Sequence, residues 1–344
     1  MSYKIKRLIV FSLAIIILAI SANEGNKDPG VKGIVKGLSK GISRELHGNT
    51  QNKNPYSQIP LSIDPKAIDP DISYTPNPEN IFPKLTKKVI IPPLRPLISA
   101  EAYLVKNLDT GEIYASHNPR SVFPIASLSK LITSLVAIHI MQANQKITIT
   151  QDMIDVIGDA GHLATAETFK VSELLYPLLL ESSNDTAEAL AVSYGYEKFI
   201  EQMNGFTKEI GMISSSFKDA SGLSSGNLSN TEDLFVLTKY LYLNEKPLLE
   251  ITRKATMTLA STTEHKEHIW KNINPFSLDP NFLGGKTGRT NIAKESMISI
   301  FKYTYDNVSY PIAVIVLRSN FQVREIDSSV LFEQFLQKVI NRKL

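Results

Sequence analysis

The sequence predicts an α+β domain with a mostly antiparallel sheet, preceded by an export signal and a linker. Strand-like segments stand at both ends of residues 98–344, and the segments between them have helical periodicity. Residues 1–97 sustain neither pattern. Two groups of strands around a helical middle favour one sheet that joins the two ends of the domain, with helices packed against it.

The elements follow from the local patterns. Two strand-like runs in AYLVKNLDTGEIYASHN are joined by a turn at Asp109, Thr110 and Gly111, which predicts a hairpin. Helical periodicity predicts helices in SLSKLITSLVAIHIM, VSELLYPLLLESSNDTAEALAVSY, YEKFIEQMNGFTKEIG and NTEDLFVLTKYLYL. The C-terminal part returns to strands in ESMISIFKY and PIAVIVLRS, and a last amphipathic helix is predicted in SSVLFEQFLQKVI.

Residues 1–22 have the organisation of an export signal. Lys4, Lys6 and Arg7 precede an unbroken apolar run from Leu8 to Ile20, which small and polar residues follow. The run is shorter than the roughly 20 residues that a membrane-spanning helix needs. This length favours a cleaved signal peptide, with an uncleaved signal anchor as the alternative.

Residues 23–97 are predicted to be a tether without a core of its own. The stretch from Asn23 to Ile98 contains 11 of the 18 prolines and no sustained periodicity. Residues 1–98 contain 14 Lys/Arg and 7 Asp/Glu, against 23 and 27 in the rest of the chain. The basic residues 1–45 could contact a membrane or an anionic wall polymer through a helical lysine stripe. Gly33, Gly37 and Gly41 would weaken that helix, so a solvated linker is favoured. The acidic balance of the folded part argues against nucleic acid as a partner.

Three segments carry patterns whose usual chemistry is not expected here. GGKTGRT resembles a phosphate loop, but Pro280 stands where a Walker A motif needs its first glycine. GLSSG, centred on Ser224, lies in a turn-rich segment and does not have the strand and helix that flank a nucleophile elbow. His265 and His268 have no third ligand at a recognised spacing, so they are expected at a solvated surface. The chain has no cysteine, and neither a metal nor a cofactor is predicted.

The strongest catalytic candidates are five residues in three segments. Ser127 and Lys130 are three positions apart at the start of a helix, so the amine can reach the hydroxyl. A lysine can accept the serine proton only if burial or a second cation lowers its pKa, and Lys286 could supply that cation and bind a substrate anion. Ser182 and Asn184 form a Ser-x-Asn element that could relay a proton and hold a substrate backbone. Each spacing alone is weak evidence for a catalytic site, but the order and separations of the three segments support an assignment of all five residues to one site.

With these residues in place, the chain resembles the penicilloyl serine transferases. The resemblance is strongest to the D-alanyl-D-alanine carboxypeptidases of peptidase family S11, the low-molecular-weight penicillin-binding proteins. It covers about residues 98–320 and is carried by the blocks LDTGEIYASHNP, PIASLSKLIT, VSELLYPLLLESSNDTAEALA, FIEQMNGFTKEIGM, FKDASGLSSGNLSNTEDL and GGKTGRT. It implies the serine β-lactamase and penicillin-binding transpeptidase-like fold, with a helical subdomain beside the sheet, in residues 98–344.

The resemblance also implies a reaction. Ser127 would be acylated by the penultimate D-Ala of a peptidoglycan stem peptide that ends in D-Ala-D-Ala, with Lys130 as the general base. Ser182 would help to pass a proton to the leaving D-Ala, and Asn184 would hydrogen-bond the peptide. Water would then hydrolyse the acyl-enzyme. β-Lactams, which imitate D-Ala-D-Ala, would acylate the same serine and leave slowly.

The resemblance also implies that the segment around Lys286 binds the substrate. Lys286 and Thr287 would bind the terminal carboxylate, and Gly288 would let the strand approach the substrate. The backbone N–H groups of Ser127 and Arg289 would form the oxyanion hole. The activity and the signal together imply an exported, extracytoplasmic location in the cell wall or periplasm. Many family members have an extra C-terminal β domain and a membrane-binding helix, which this sequence does not show, so any anchoring is expected at the N-terminus.

One departure and two alternatives accompany this interpretation. Ser183 stands where the family usually has glycine, and this small-for-small change is expected to be tolerated. A class A β-lactamase would need a glutamate followed four residues later by asparagine between the second and third motifs, and residues 185–285 contain no such pair. A non-catalytic wall-binding or antibiotic-sensing module is disfavoured because the catalytic set is intact.

Overall fold

The computed structural model describes residues 98–158 and 160–341. The predicted export signal and tether, residues 1–22 and 23–97, lie outside the described residues and stay predictions. Among the described helices, none combines the length and apolar character that crossing a membrane requires.

A five-stranded antiparallel sheet forms the centre of the domain. Its strands are β1 (Ala102–Asn107), β2 (Ile113–His117), β9 (Phe282–Thr290), β10 (Lys294–Tyr305) and β11 (Val308–Ser319), in the order β2-β1-β11-β10-β9. Val105 of β1 lies opposite Val314 of β11. The first strand therefore pairs with the last one, which confirms the predicted antiparallel sheet that joins the ends of the domain.

The other strands form three short antiparallel pairs. They are β3 (Phe123–Pro124) with β6 (Leu228–Ser229), β4 (Lys146–Thr148) with β5 (Thr168–Lys170), and β7 (Thr256–Leu259) with β8 (His268–Lys271). The described part of the chain has eight α-helices: α1 (Ser129–Ile140), α2 (Gln151–Ile154), α3 (Val171–Tyr176), α4 (Asn184–Tyr194), α5 (Tyr196–Glu209), α6 (Thr231–Asn244), α7 (Lys246–Arg253) and α8 (Arg324–Asn341).

The helical segment predicted over residues 171–194 is not continuous. A π-helix, Pro177–Glu181, separates α3 from α4, and Ser182 ends it with a φ of 64°, in the left-handed region. Pro177 has no backbone N–H and so cannot continue the hydrogen bonding of α3. The left-handed residue then turns the chain sharply, and α4 starts two residues later at Asn184.

The sheet is covered on both faces, as the alternation of its strands requires. Ile298 and Ile315 belong to the core that the sheet forms with the helices of residues 126–253. Met297 and Val316 face the opposite way and pack with Phe335 of α8. Residue alternation in two neighbouring strands thus assigns one face to the helical subdomain and the other face to the C-terminal helix.

The expectation that His265 and His268 lie at a solvated surface was wrong. Both are buried, and His268 Nε2 lies 3.1 Å from Glu167 Oε1. The His268 ring stacks on Trp270 with ring centroids 5.3 Å apart. An imidazole can pack as an aromatic ring once a polar partner satisfies its nitrogen. No group of three or more His, Asp or Glu side chains suited to a metal occurs within residues 98–158 and 160–341.

Replacement of Phe335 by alanine is expected to lower the free energy of unfolding by about 3–5 kcal/mol, because the cavity would lie in a fully buried site. The ring packs edge-on against Tyr114 at a centroid distance of 4.8 Å. Ile326→Ala on the same helix is the control, since Ile326 is 54% exposed, and should change stability by less than about 0.5 kcal/mol. Urea unfolding measures both variants, and equal losses would contradict the assigned packing.

Candidate active site

The nucleophile candidate lies in a short 3-10 helix that leads into α1. Ser127 is the middle residue of Ala126–Leu128, and Ala126 has a φ of 51°, which L-residues rarely adopt. The Ile125 N–H donates to the Asn227 carbonyl at 3.0 Å, which holds the start of this turn. The strained backbone is fixed by the surrounding chain, as is common at functional sites.

Lys130 is fully buried one helical turn beyond Ser127. Its Nζ lies 3.0 Å from Ser127 Oγ, 2.7 Å from Asn184 Oδ1 and 2.5 Å from the Ser221 carbonyl oxygen. Burial lowers the pKa of Lys130 to about 7, and the negative charge of Asp219 opposes this shift. A substantial fraction of the amine is therefore neutral near pH 7, which a general base requires.

The three partners of Lys130 determine where its lone pair points. A neutral amine has two N–H groups and one lone pair. The carbonyl oxygens of Asn184 and Ser221 can only accept hydrogen bonds, so they take the two N–H groups. The lone pair is left for the Ser127 hydroxyl, the remaining partner and the only one of the three that carries a proton to give.

The second lysine reaches the same pocket from β9. Lys286 is buried, and its Nζ donates to Ser182 Oγ at 2.8 Å and to the Thr287 carbonyl at 2.9 Å. Burial lowers the pKa of Lys286 well below its usual value, and the positive charges of Lys130 and Arg324 lower it further. An anion that binds beside this amine would reverse the shift and stabilise the ammonium form.

The Ser-x-Asn element is placed by the break between the π-helix and α4. The left-handed conformation of Ser182 brings its hydroxyl to Lys286, while Ser183 turns inward and its Oγ accepts from Thr186 N at 3.1 Å. Ser183 thus caps α4 and is fully buried. The residue that replaces the usual glycine has a structural role here, and Asn184 starts the helix that carries the amide into the site.

Both ends of the Asn184 amide are occupied. Oδ1 accepts from Lys130, and Nδ2 donates to the Ile157 carbonyl at 2.6 Å. The amide nitrogen has two N–H groups, and one of them goes to Ile157, so the other can donate to a substrate carbonyl.

Strand β9 runs close to the nucleophile because Gly288 has no side chain. A Cβ at Gly288 would lie 2.8 Å from the Ile125 carbonyl oxygen and 3.2 Å from Ser127 N. The glycine therefore lets the strand approach the protein's own backbone, and its predicted approach to a substrate stays a prediction. Thr287 is buried beside it. The Arg289 side chain is 61% exposed and lies over the Phe321 ring, so the role predicted for this residue depends on its backbone N–H.

The segment from Asp219 to Asn227 was not recognised as part of the site from the sequence. It provides the Ser221 carbonyl to Lys130, and Gly222 packs directly behind the nucleophile with a φ of 88°. A Cβ at Gly222 would lie 2.1 Å from the Ala126 carbonyl oxygen. The glycine in a turn-rich segment was the available signal, but it does not show what the turn contacts.

Solved structures define the fold class. The Streptomyces K15 DD-transpeptidase has a TM-score of 0.63 at 23% identity, over 70% of this chain and 97% of that chain. The D-alanyl-D-alanine carboxypeptidase from Mycobacterium tuberculosis H37Rv has a TM-score of 0.63 at 22% identity, over 70% and 92%. The chain has the fold of the penicillin-binding DD-peptidases, as predicted.

Sequence comparisons identify the family. The chain is 32% identical over 217 residues to the D-alanyl-D-alanine endopeptidase of Haemophilus influenzae, covering 61% of this chain and 73% of the relative. It is 26% identical to the D-alanyl-D-alanine carboxypeptidase DacF of Bacillus subtilis, covering 57% of this chain and about half, 52%, of that relative. The model of the D-alanyl-D-alanine carboxypeptidase family, Peptidase_S11, matches residues 90–318.

The chain belongs to the S11 family of D-alanyl-D-alanine carboxypeptidases. It is accordingly a serine DD-peptidase, a penicillin-binding hydrolase of the cell wall whose substrate is peptidoglycan with D-Ala-D-Ala ends. Both the family and the enzyme class expected from the sequence are thereby confirmed.

Proposed function

We propose that the chain removes the terminal D-Ala from peptidoglycan stem peptides through an acyl-enzyme on Ser127. The observation that supports this proposal best is the buried Lys130 amine, held 3.0 Å from Ser127 Oγ by two acceptor oxygens. A serine hydroxyl is a weak nucleophile until a base accepts its proton. A buried lysine with a pKa of about 7 supplies that base at neutral pH.

In the acylation step, the Lys130 lone pair accepts the proton of Ser127 as Oγ attacks the carbonyl carbon of the penultimate D-Ala. The carbonyl oxygen becomes an oxyanion, which the backbone N–H groups of Ser127 and Arg289 stabilise. The proton then passes to the nitrogen of the terminal D-Ala, and the peptide bond breaks. Ser182 supports this transfer because its hydroxyl lies 2.8 Å from Lys286 Nζ and faces the same pocket.

In the second step, water attacks the carbonyl carbon of the acyl-enzyme while Lys130 accepts a proton from it. The bond between that carbon and Ser127 Oγ then breaks, and Lys130 returns the proton to Oγ. Asn184 holds the peptide through the second N–H group of Nδ2, beside the one that donates to the Ile157 carbonyl. Before acylation, the terminal carboxylate of the intact substrate binds at Lys286 and Thr287, where it shifts the lysine back towards its charged form. Carboxylate binding and the stabilisation of Lys286 therefore reinforce each other.

Ser127→Ala is expected to abolish covalent labelling by a fluorescent penicillin, because no nucleophile would remain. Lys286→Ala should slow labelling by about 10²-fold or more, a loss typical of one charged hydrogen-bonding group in a catalytic site. Ser224→Ala, in the GLSSG motif, is the matched serine control and should label like the wild type. Gel fluorescence after incubation measures all three variants. Equal labelling of Ser127→Ala and wild type would contradict the mechanism.

A second candidate activity is cleavage of peptide cross-links. Relatives called D-alanyl-D-alanine endopeptidase share 32%, 30% and 28% identity with the chain, and relatives called carboxypeptidases share 25% to 28%. Both reactions attack a D-Ala carbonyl with the same catalytic groups. They differ in the leaving group, which is a free D-Ala in one case and the side-chain amine of a second stem peptide in the other.

Purified muropeptides distinguish the two activities. The carboxypeptidase proposal predicts that a monomeric pentapeptide loses one D-Ala and that a cross-linked dimer stays intact, as measured by mass spectrometry. Ser127→Ala serves as the inactive control for contaminating enzymes. Conversion of the dimer to monomers, with the pentapeptide left intact, would assign the endopeptidase activity instead.

We propose further that the enzyme is exported and acts in the cell wall or periplasm. The basic residues before the apolar run from Leu8 to Ile20, and the location of its substrate, support export. Residues 23–97 would give the domain a reach on the order of 50 Å from a membrane or wall contact made by residues 1–45. N-terminal sequencing of the mature protein should find Met1 to Ala22 removed. Retention of these residues in the secreted fraction, without membrane attachment, would contradict both the signal peptide and the anchor.

A further inference from the structure

The carboxylate of Asp219 organises the loop behind the nucleophile. Oδ1 accepts from Gly222 N at 2.5 Å, from Ser221 Oγ at 3.3 Å and from Asn227 Nδ2 at 3.2 Å. Oδ2 accepts from Ser224 N at 2.5 Å. The backbone from residue 221 to residue 224 is thereby wrapped around one side chain, in the manner of an extended Asx turn.

The loop is docked on the first turns of α1. The Ser221 carbonyl accepts from Lys130 Nζ at 2.5 Å, and the Ala220 carbonyl accepts from Thr133 Oγ1 at 2.5 Å. Asn227 Nδ2 also donates to Ser129 Oγ at 3.0 Å. Two consecutive carbonyl groups therefore point at α1, and their direction depends on the turn that Asp219 closes.

The direction of the Ser221 carbonyl matters because it takes one of the two N–H groups of the neutral Lys130 amine. If this acceptor turned away, the amine could rotate, and its lone pair would no longer be held towards the Ser127 hydroxyl. Gly222 adds a second constraint, since it packs against the Ala126 carbonyl and Ser127 N. A displaced loop would disturb the base and the nucleophile together.

We propose that Asp219 is a positioning residue for the reaction, acting through the Ser221 carbonyl to direct the Lys130 lone pair at Ser127. This inference rests on the proposed function, in which Lys130 is the general base. Asp219 acts on the geometry from outside the reacting groups. Its carboxylate accepts hydrogen bonds from residues 221, 222, 224 and 227 of the loop.

The charge of Asp219 provides a readout that a purely structural role would not give. Burial lowers the pKa of Lys130 and Asp219 raises it, while Lys286 faces Lys130 from β9 as a second amine. Asp219 also faces Glu188 of α4 and Tyr196 of α5. Burial raises the pKa of both, and the charge of Asp219 raises them further, that of Tyr196 to about 12. Removing the carboxylate charge should therefore lower the pKa of Lys130.

Asp219→Asn tests the proposal through the pH profile of penicillin acylation. In the wild type, the rate should rise with pH through a midpoint near 7, because the neutral amine is the active form. The variant should have a lower midpoint, since the protonated amine loses its favourable charge. Its plateau should fall by about tenfold or more. The single amide oxygen of asparagine cannot accept from both Gly222 N and Ser224 N, so the loop shifts and the lone pair is less well directed.

Asp219→Glu separates charge from geometry. The charge is kept, so the midpoint should stay near that of the wild type, but the longer side chain displaces the loop and the plateau should fall. Asp233→Asn is the matched control. Asp233 is also buried and closes a neighbouring turn by accepting from Ser214 N at 2.8 Å and Ser215 Oγ at 2.7 Å. It should lower the melting temperature and keep the midpoint and plateau of the folded enzyme.

The results distinguish a failure of the Asp219 proposal from a failure of the proposed function. Wild-type plateau rates in both Asp219 variants, or an unshifted midpoint in Asp219→Asn, would overturn the role of Asp219 and leave the proposed function intact. If the wild type is not acylated, or if Ser127→Ala is acylated equally, the proposed function itself fails. Circular dichroism identifies an unfolded variant. Should Asp219→Asn not fold, the plateau of Asp219→Glu decides, and a wild-type value there contradicts the proposal.

Discussion

The hydrogen bonds of one buried amine hold the site together. Lys130 Nζ connects α1, which carries it, to the start of α4 through Asn184 and to the 219–227 loop through the Ser221 carbonyl. These segments are far apart in the sequence, and their relative positions set the distance from the amine to Ser127. The central sheet contributes by placing β9 on the open side of the same pocket, where Gly288 lets the backbones approach.

The burial of two lysines in the site lowers the stability of the folded state. Burial lowers the pKa of Lys130 to about 7, whereas the unfolded chain keeps it near its usual value. The unfolded state then binds the proton more tightly. The resulting loss of stability is complete below pH 7 and disappears as the pH rises towards the unfolded value. The same low pKa leaves a fraction of the amine neutral and able to act as a base, so burial of Lys130 lowers stability and makes the residue reactive.

The sequence indicated the candidate site residues that act through their side chains. The spacing of Ser127 and Lys130 required a helix, and the structure has α1 there. Asn184 hydrogen-bonds to Lys130, and Ser182 hydrogen-bonds to Lys286. The antiparallel sheet followed from apolar strands at both ends of the domain. The fold was predictable because periodicity and spacing are local properties that the fold preserves.

The remaining features depend on backbone atoms or on tertiary packing. The Ser221 and Ile157 carbonyl groups are decisive contacts, but any residue type has a carbonyl, so no letter in the sequence marks them. The break at Ser182 was hidden because the segment keeps its apolar character across Pro177. His265 and His268 looked like surface residues because their burial depends on Phe169 and Glu167, which lie far from them in the sequence.

The central claim is that a substantial fraction of Lys130 is a neutral amine at neutral pH in the resting enzyme. Titration of 13C-labelled lysine Cε signals by NMR measures this directly, with the signal assigned by its loss in Lys130→Ala. The account predicts a midpoint near pH 7 for this signal, far below the exposed lysines. A midpoint near pH 10 would show a charged lysine at neutral pH and would contradict its role as the base.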